Sequence, residues 1–432
     1  MLIGEKMYKW ATDLFMVNRS ITGPGVRETL IYLSKLIEGL QIKSVSSGTK
    51  VFDWIVPDEW VICEAYIEDE LGNRIIDFKN NNLHLVGYSI AVDQWMELDK
   101  LQEHLHSLPE QPDAIPYVTS YYSRSWGFCL SHNQRSSLSS GRYKVFIDST
   151  ISPGVLNYGE LVIPGERKEE VLLSTYICHP SMANNELSGP IVTTALSQWL
   201  LSLKKRKYTY RILFIPETIG SITYLSQNHK HMKENIVAGF VISCVGDNRT
   251  YSFVPSRNGE TLADRAALHI LNASLEKFDH YSYLDRGSDE RQYCSPGVDL
   301  PVCSIMRSKY DTYPEYHTSL DNLSFISPEG LQGGYDIIQK TIKTLEFNDY
   351  YKTLSPCEPQ LGKRGMYPNT SIKDGYSDVK AMMNILAYAD GKIDLIELAN
   401  KINADVVILY PIIEKLMKAN LIEIVHHNSY KN

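Results

Sequence analysis

Several features are missing from this 432-residue sequence. No uninterrupted apolar run reaches the ~18 residues that a membrane-crossing helix needs, so no membrane partner is expected. Met1 to Arg19 interleaves Glu5, Lys6, Lys9 and Asp13 with apolar residues and lacks the continuous apolar stretch of a secretory signal; a cytoplasmic chain is expected. The cysteines number seven (Cys63, Cys129, Cys178, Cys244, Cys294, Cys303 and Cys357), with no CxxC pair and no regular spacing. That leaves neither a disulfide frame nor a structural zinc knot. Basic excess is absent too, since 43 Lys and Arg face 51 Asp and Glu for a net charge of -8, giving no overall attraction for nucleic acid. What is present is 43% hydrophobic and 22% charged residues, the balance of a globular protein with large cores. At roughly 100 to 200 residues per domain the length suggests two or three units.

Residues 1–45 read as two helices broken at Arg19 to Gly25; Thr29, Leu30, Tyr32, Leu33, Leu36 and Ile37 give the second a 3.6-residue period. Short strand-like runs follow over Trp60 to Ile67, Arg74 to Phe78 and His84 to Ile90, marking residues 51–134 as a β-rich insertion. From Tyr143 onward, apolar strands (Glu160 to Ile163, Glu170 to Ile177, Tyr210 to Ile215, Ala238 to Val245) alternate with helical segments such as Gly189 to Lys204. Near-continuous apolar strands separated by helices indicate a mostly parallel sheet covered on both faces. The expected fold class is α/β. A three-layer α/β/α domain is assigned to residues 1–50 and 135–352 and a linker to 353–374; Gly391-Lys392-Ile393-Asp394-Leu395 followed by Ile396 to Ala399 resembles the start of the second helix of a winged helix-turn-helix, assigned to 375–432.

Ligands of such sheets bind at the carboxyl ends of the strands, and four segments there carry polar chemistry. His179 ends one strand and opens the turn Asn184-Asn185-Glu186-Leu187-Ser188-Gly189. A neutral imidazole in that place suits zinc. Glu217 follows Leu213-Phe214-Ile215-Pro216, and a lone carboxylate beside a metal can take the proton of a water. Asp247 follows a third strand, and Tyr316-His317-Thr318-Ser319-Leu320-Asp321 supplies a second imidazole from far along the chain. A single His or Glu after a strand more often caps a turn; four such segments in one α/β unit shift the balance toward a site.

These segments resemble the motifs of the zinc exopeptidases that include aminopeptidases and glutamate carboxypeptidase, and in particular an aminopeptidase-like subgroup with an inserted β domain and a C-terminal winged helix. The resemblance implies zinc, as one or two ions, with His179 and His317 as imidazole ligands and Glu217 as general base. It also implies departures at three positions. Asn185 stands where a bridging Asp is expected, so Asn185 becomes a metal-site or neighbouring residue and Glu186 the substitute carboxylate ligand. Thr218 stands where a second Glu is expected, and Asp247 lies a few residues beyond the remaining acidic position, held by Ser243; it is retained as a candidate ligand. Ser288-Asp289-Glu290, within Asp285 to Gln292, resembles a Ser-Asp-His stretch of the family with Glu290 in place of the His, and Asp289, Arg291 and Arg124 are candidate substrate-binding residues, the arginines as carboxylate partners.

The resemblance implies metal-dependent, aminopeptidase-like hydrolysis of a peptide or related amide bond in a small substrate. Two alternatives stay open: a deacylase acting on an amino sugar or another metabolite, and a degenerate peptidase fold serving as a binding or regulatory scaffold. From Glu358 to Asn432 nine Lys plus Arg balance nine Asp plus Glu. This lacks the basic footprint of a DNA reader, and protein contact or self-association through the winged helix or the insertion is expected instead.

Overall fold

A computed structural model describes residues 2–366 and 377–425. The chain divides into two compact units, Met1–Ala263 with Phe278–Tyr335, and Asp264–Lys277 with Asp336–Asn432. Among the described residues no helix is long and apolar enough to cross a membrane.

The first unit is built on an eight-stranded sheet. Its order is Gln41–Ser46, Val155–Ile163, Thr209–Ile215, Glu170–Tyr176, Ile236–Val241, Val302–Met306, Ser252–Val254 and Asp279–His280. The central strands from Thr209–Ile215 to Val302–Met306 run parallel. Every residue of Glu170–Tyr176 is buried, as expected for a strand with both faces covered. Side-chain alternation shows which helix covers which face. A Cβ on Gly159 would meet Leu30 of the helix Pro24–Leu36, whereas its neighbours face the other way: Tyr158 packs edge-on against Tyr224 of the helix Ile219–Asn235, and Glu160 accepts the Tyr224 hydroxyl. The result is the three-layer α/β/α arrangement. On the Leu30 side, the helix Ser188–Ser202 packs against Ile3–Leu14 and Pro24–Leu36.

The insertion forms a four-stranded antiparallel sheet in the order Arg74–Asp77, Glu59–Glu68, Arg142–Ser152, Val92–Glu97. Three expectations need correction here. The boundary at 134 cuts off a central strand of this sheet, because Arg142–Ser152 belongs to it before the chain turns into Val155–Ile163 of the main sheet. Residues 41–46 form an edge strand rather than the end of a helix; the helix stops at Leu36, and Gly39 takes φ +84 on the way to the strand. Residues 84–90 are a 3-10 turn and loop, because the Asn81 side chain captures the Leu83 N–H.

The second unit carries a three-stranded antiparallel sheet, Asp390–Asp394, Tyr350–Thr353 and Ile422–Val425, with helices Ser377–Tyr388, Leu395–Lys401 and Val406–Lys418. The wing therefore begins at Tyr350, inside the segment expected to be catalytic domain and linker. The rest of the expected linker at 367–374, and residues 375–376 and 426–432 of the expected module, lie outside the described residues. Asp394 organises this unit. Its carboxylate caps the helix Leu395–Lys401 through the Glu397 N–H, accepts Arg265 Nη2 on both oxygens and takes a bond from Asn348.

Candidate active site

The parallel strands Glu170–Tyr176 and Thr209–Ile215 deliver His179 and Glu217 to neighbouring positions at one sheet edge. His179 Nε2 lies 3.6 Å from Glu217 Oε2. His317, about 140 residues further on, joins them: the two imidazole rings stand 5.5 Å apart at 43°. Tyr117 from the insertion packs edge-on against both, at 5.3 and 5.2 Å. Its N–H also bonds the His317 carbonyl at 2.9 Å, so the insertion helps to fix that loop.

Each functional side chain is held by an identifiable device. The other face of His179 is committed, since Nδ1 bonds Glu186 Oε2 at 2.9 Å. Glu186 Oε1 in turn lies 3.3 Å from Arg19 Nε, and neither side chain of that pair has any exposed surface. Arg19 Nε also donates to the His179 carbonyl. Gly189 starts the following helix tightly under the sheet, where a Cβ would lie 2.3 Å from the Ile242 carbonyl. Asp321 pins the π-helical turn Ala183–Leu187 by accepting the N–H groups of Ala183, Asn184 and Asn185, which ties that turn to the His317 loop. Backbone strain gathers at the site: Ser181, Thr218, Cys244 and His317 all have positive φ. Such residues cost about 1–3 kcal/mol each and persist only where the surroundings enforce them. For Thr218, at φ +63 and ψ -75, the enforcing group is Asp289, whose Oδ1 accepts the Thr218 N–H at 2.8 Å.

Electrostatics separates the titrating groups. Burial disfavours the charged form of His179, but the Cys178 sulfur and the Glu186 carboxylate outweigh it and hold this imidazole well above its ordinary pKa. Burial, and then the charge on His179, push His317 down to about 3, so it stays neutral. Burial raises Glu217 against the opposing pull of His179. Burial together with the Glu217 charge lifts Asp289 to about 7.

The donor set fits a metal ion on the Nε2 side. Among the described residues His317 Nε2 is buried without a hydrogen-bond partner, His179 Nε2 faces the same space, and Glu217 stands beside it. Two imidazoles suit zinc, and the neighbouring Glu217 carboxylate suits proton transfer beside it. Cys178, His179 Nδ1 and Glu186 also lie at metal-ligand spacing, but a cation there would face the buried Arg19 guanidinium.

Several expected site residues lie elsewhere. Glu186 orients His179 from behind rather than ligating on the Nε2 side. Asp247 is corrected from ligand to loop organiser, because its two oxygens already accept four bonds, from Asn184, Arg249 N–H and the N–H and hydroxyl of Ser308. Asn185 Oδ1 accepts the Tyr176 hydroxyl at 3.0 Å, which leaves its amide nitrogen, a donor, without a partner. Asp289 is buried behind Thr218 and does not line the cavity; Arg124 is exposed and does not line it either. Arg291 does line it, with Nη2 2.7 Å from Thr218 Oγ1.

The comparisons with known proteins agree with this architecture. Residues 8–348 match the family model described as a domain of unknown function, DUF4910. The chain belongs to the DUF4910 family. Residues 349–424 match a winged helix-turn-helix model. A Clostridium acetobutylicum protein named as a candidate polysaccharide biosynthesis protein with an aminopeptidase-like domain is 46% identical over 400 residues, 92% of this chain and 91% of its own. The crystal structure of a candidate peptidase from Clostridium acetobutylicum matches with TM-score 0.92 and 42% identity, covering 98% of this chain and 96% of that one. The zinc aminopeptidase of Bacillus subtilis shares the fold at TM-score 0.58 and 11% identity, over 79% and 94% of the two chains. This DUF4910 chain thus has an aminopeptidase-like fold.

Sequence reasoning missed Arg19, Tyr117 and the positioning role of Glu186. Arg19 carried no local signal beyond a helix break, and its use depends on a contact 167 residues away in sequence. Asp321 was visible in the Tyr316 to Asp321 motif, but its three backbone partners were not.

Proposed function

We propose that this site is a metal-dependent amide hydrolase holding a single zinc ion between His179 and His317. The observation that carries the reading is the convergence of the two imidazoles beside Glu217, with the Nε2 atom of His317 buried and otherwise unpartnered. The ion would supply Lewis-acid polarisation of the scissile carbonyl. Glu217, half-buried at the cavity wall, takes a proton from the attacking water and passes it to the departing amine nitrogen. Water oxygen joins the carbonyl carbon, the C–N bond breaks, and a carboxylic acid and an amine result. Glu186 keeps the Nδ1 proton of His179 in place so that Nε2 presents its lone pair. Asp289 and Thr218 hold the backbone on which Glu217 is carried.

A second reading assigns the same chemistry to an N-acylated amino sugar. It is favoured by the polysaccharide biosynthesis name of the 46% identical relative and by Trp54 and Tyr122 at the cavity, 5.8 Å apart edge to face, which offer flat surfaces to a sugar ring. Metal analysis of protein prepared without chelators, followed by assay against aminoacyl amides and N-acyl amino sugars, tests both. We expect close to one zinc per chain, and a Glu217→Gln variant that keeps zinc and loses turnover. Zinc-free protein, or a Glu217→Gln variant with undiminished turnover, overturns the proposal.

A further inference from the structure

We propose that the cavity binds a substrate carrying an anionic group, carboxylate or phosphate, close to its scissile amide, and that Arg291 receives it. The inference rests on the hydrolase reading of the cavity and names the substrate class for it. The cavity measures about 350 Å³, enough for an N-acyl amino acid or a substituted amino sugar. Its charged lining is sparse: among the described residues, apart from the two imidazoles, it holds one carboxylate, Glu217, and one guanidinium, Arg291. Thr218 and Asn185, where the resemblance expects acids, are neutral.

Arg291 differs from the arginines that stabilise the rest of the fold. Arg27, Arg211, Arg249 and Arg257 pair with carboxylates at 2.6–2.7 Å. Arg291 makes no such pair within 4 Å among the described residues, and its side chain is exposed at the cavity. It is nevertheless held in place. Nη2 donates to Thr218 Oγ1 at 2.7 Å, and Thr218 is itself fixed by Asp289. A guanidinium has five N–H donors in a planar fork, so a tether through one nitrogen leaves donors for bidentate pairing with a carboxylate or phosphate. An ammonium group of a substrate would meet Arg291 as a like charge and would compete with proton transfer for Glu217. Trp54 and Tyr122 provide apolar faces for the body of the substrate.

The test uses the full zinc-loaded chain carrying Glu217→Gln, so that ligands bind without turnover, and calorimetric titration with two matched pairs. One pair is N-acetylphenylalanine and its uncharged amide; the other is N-acetylglucosamine 6-phosphate and N-acetylglucosamine. The anionic member of at least one pair should bind about tenfold or more tightly than its neutral partner, and the pair that responds identifies whether the anion comes with an amino acid or a sugar. Adding Arg291→Gln should erase that preference while zinc content and melting temperature stay the same. Equal binding within both pairs, a preference that survives Arg291→Gln, or no binding of any of the four at millimolar concentration overturns the proposal. Zinc content of the same samples separates the two claims: full zinc without charge preference sinks only the Arg291 subsite, whereas zinc-free protein sinks the hydrolase reading.

Discussion

Replacing Glu186 by Gln isolates the charge behind His179. The side chain keeps its volume and can still accept from His179 Nδ1, so packing and the hydrogen-bond count change little; the negative charge facing Arg19 is what disappears. Both partners are completely buried, with Arg19 Nε 3.3 Å from Glu186 Oε1. Removing one member of a buried ion pair leaves an uncompensated charge and costs about 3–5 kcal/mol. A carboxylate that orients a ligating imidazole also strengthens metal binding, and its loss weakens affinity about 10- to 100-fold. Urea unfolding followed by tryptophan fluorescence reads the first effect, and zinc titration against a competing chelator reads the second. The doubly apolar variant Arg19→Met with Glu186→Met separates the two roles. It should recover most of the stability, because no lone charge remains buried, but not the zinc affinity, because nothing then fixes the His179 tautomer. Refutation is direct: a Glu186→Gln protein whose stability falls within the ~0.5 kcal/mol of an ordinary surface substitution and whose zinc affinity is unchanged would show that the pair does not orient the site.

Asp289 gives a pH test on metal-free protein. Its folded-state pKa, raised to about 7 by burial and by Glu217, exceeds its unfolded value of 3.8, so its contribution to stability is complete below pH ~4 and is lost as pH rises through 7. Each pH unit across that window is worth about 1.4 kcal/mol at most; Asp289→Asn, which retains an oxygen for the Thr218 N–H, should flatten this part of a melting temperature against pH profile, and an unaltered profile counts against it. In the second unit, Asp394→Ala removes a helix cap and the partner of Arg265. A cap alone is worth about 1 kcal/mol and charged hydrogen bonds about 1.5–3. We expect a loss of about 2–4 kcal/mol in the unfolding of this unit by hydrogen exchange, and no change would refute the assignment of Asp394 as its organiser.

The parallel core and the three residues His179, Glu217 and His317 were legible because their signals are local. A strand covered on both faces is mostly apolar, so Glu170 to Tyr176 and Thr209 to Ile215 announce themselves although Glu170 and Arg211 pair with each other inside the sheet, and the polar turns that follow them fall at the functional edge of the sheet. What was not legible depends on partners distant in sequence. Asp247 and Glu186 are both acids after turns, indistinguishable by pattern; only the structure shows one saturated by four donors and the other wedged between an imidazole and an arginine. The insertion boundary failed for a related reason. Arg142–Ser152 and Val155–Ile163 read as strands of one texture, and hydrogen-bond register alone assigns them to different sheets.

The charge balance of the cavity connects these observations. A carboxylate-rich site can neutralise two divalent ions, but here Asn185 and Thr218 are neutral, Asp247 is occupied by hydrogen bonds, and Glu186 faces Arg19. That leaves Glu217, among the described residues, as the single carboxylate on the cavity wall, opposed by the Arg291 guanidinium. Among the described residues that line the cavity, a second divalent ion would find no bridging anion and no acidic oxygen besides those of Glu217, and its approach would be resisted by Arg291. On the proposed reading the absence of acids at Asn185, Thr218 and Ser243 is therefore coherent with activity: the protein replaces one mobile cation by fixed guanidinium groups, Arg19 behind the ligand and Arg291 at the rim, and so converts the space of a second metal into room for a substrate anion.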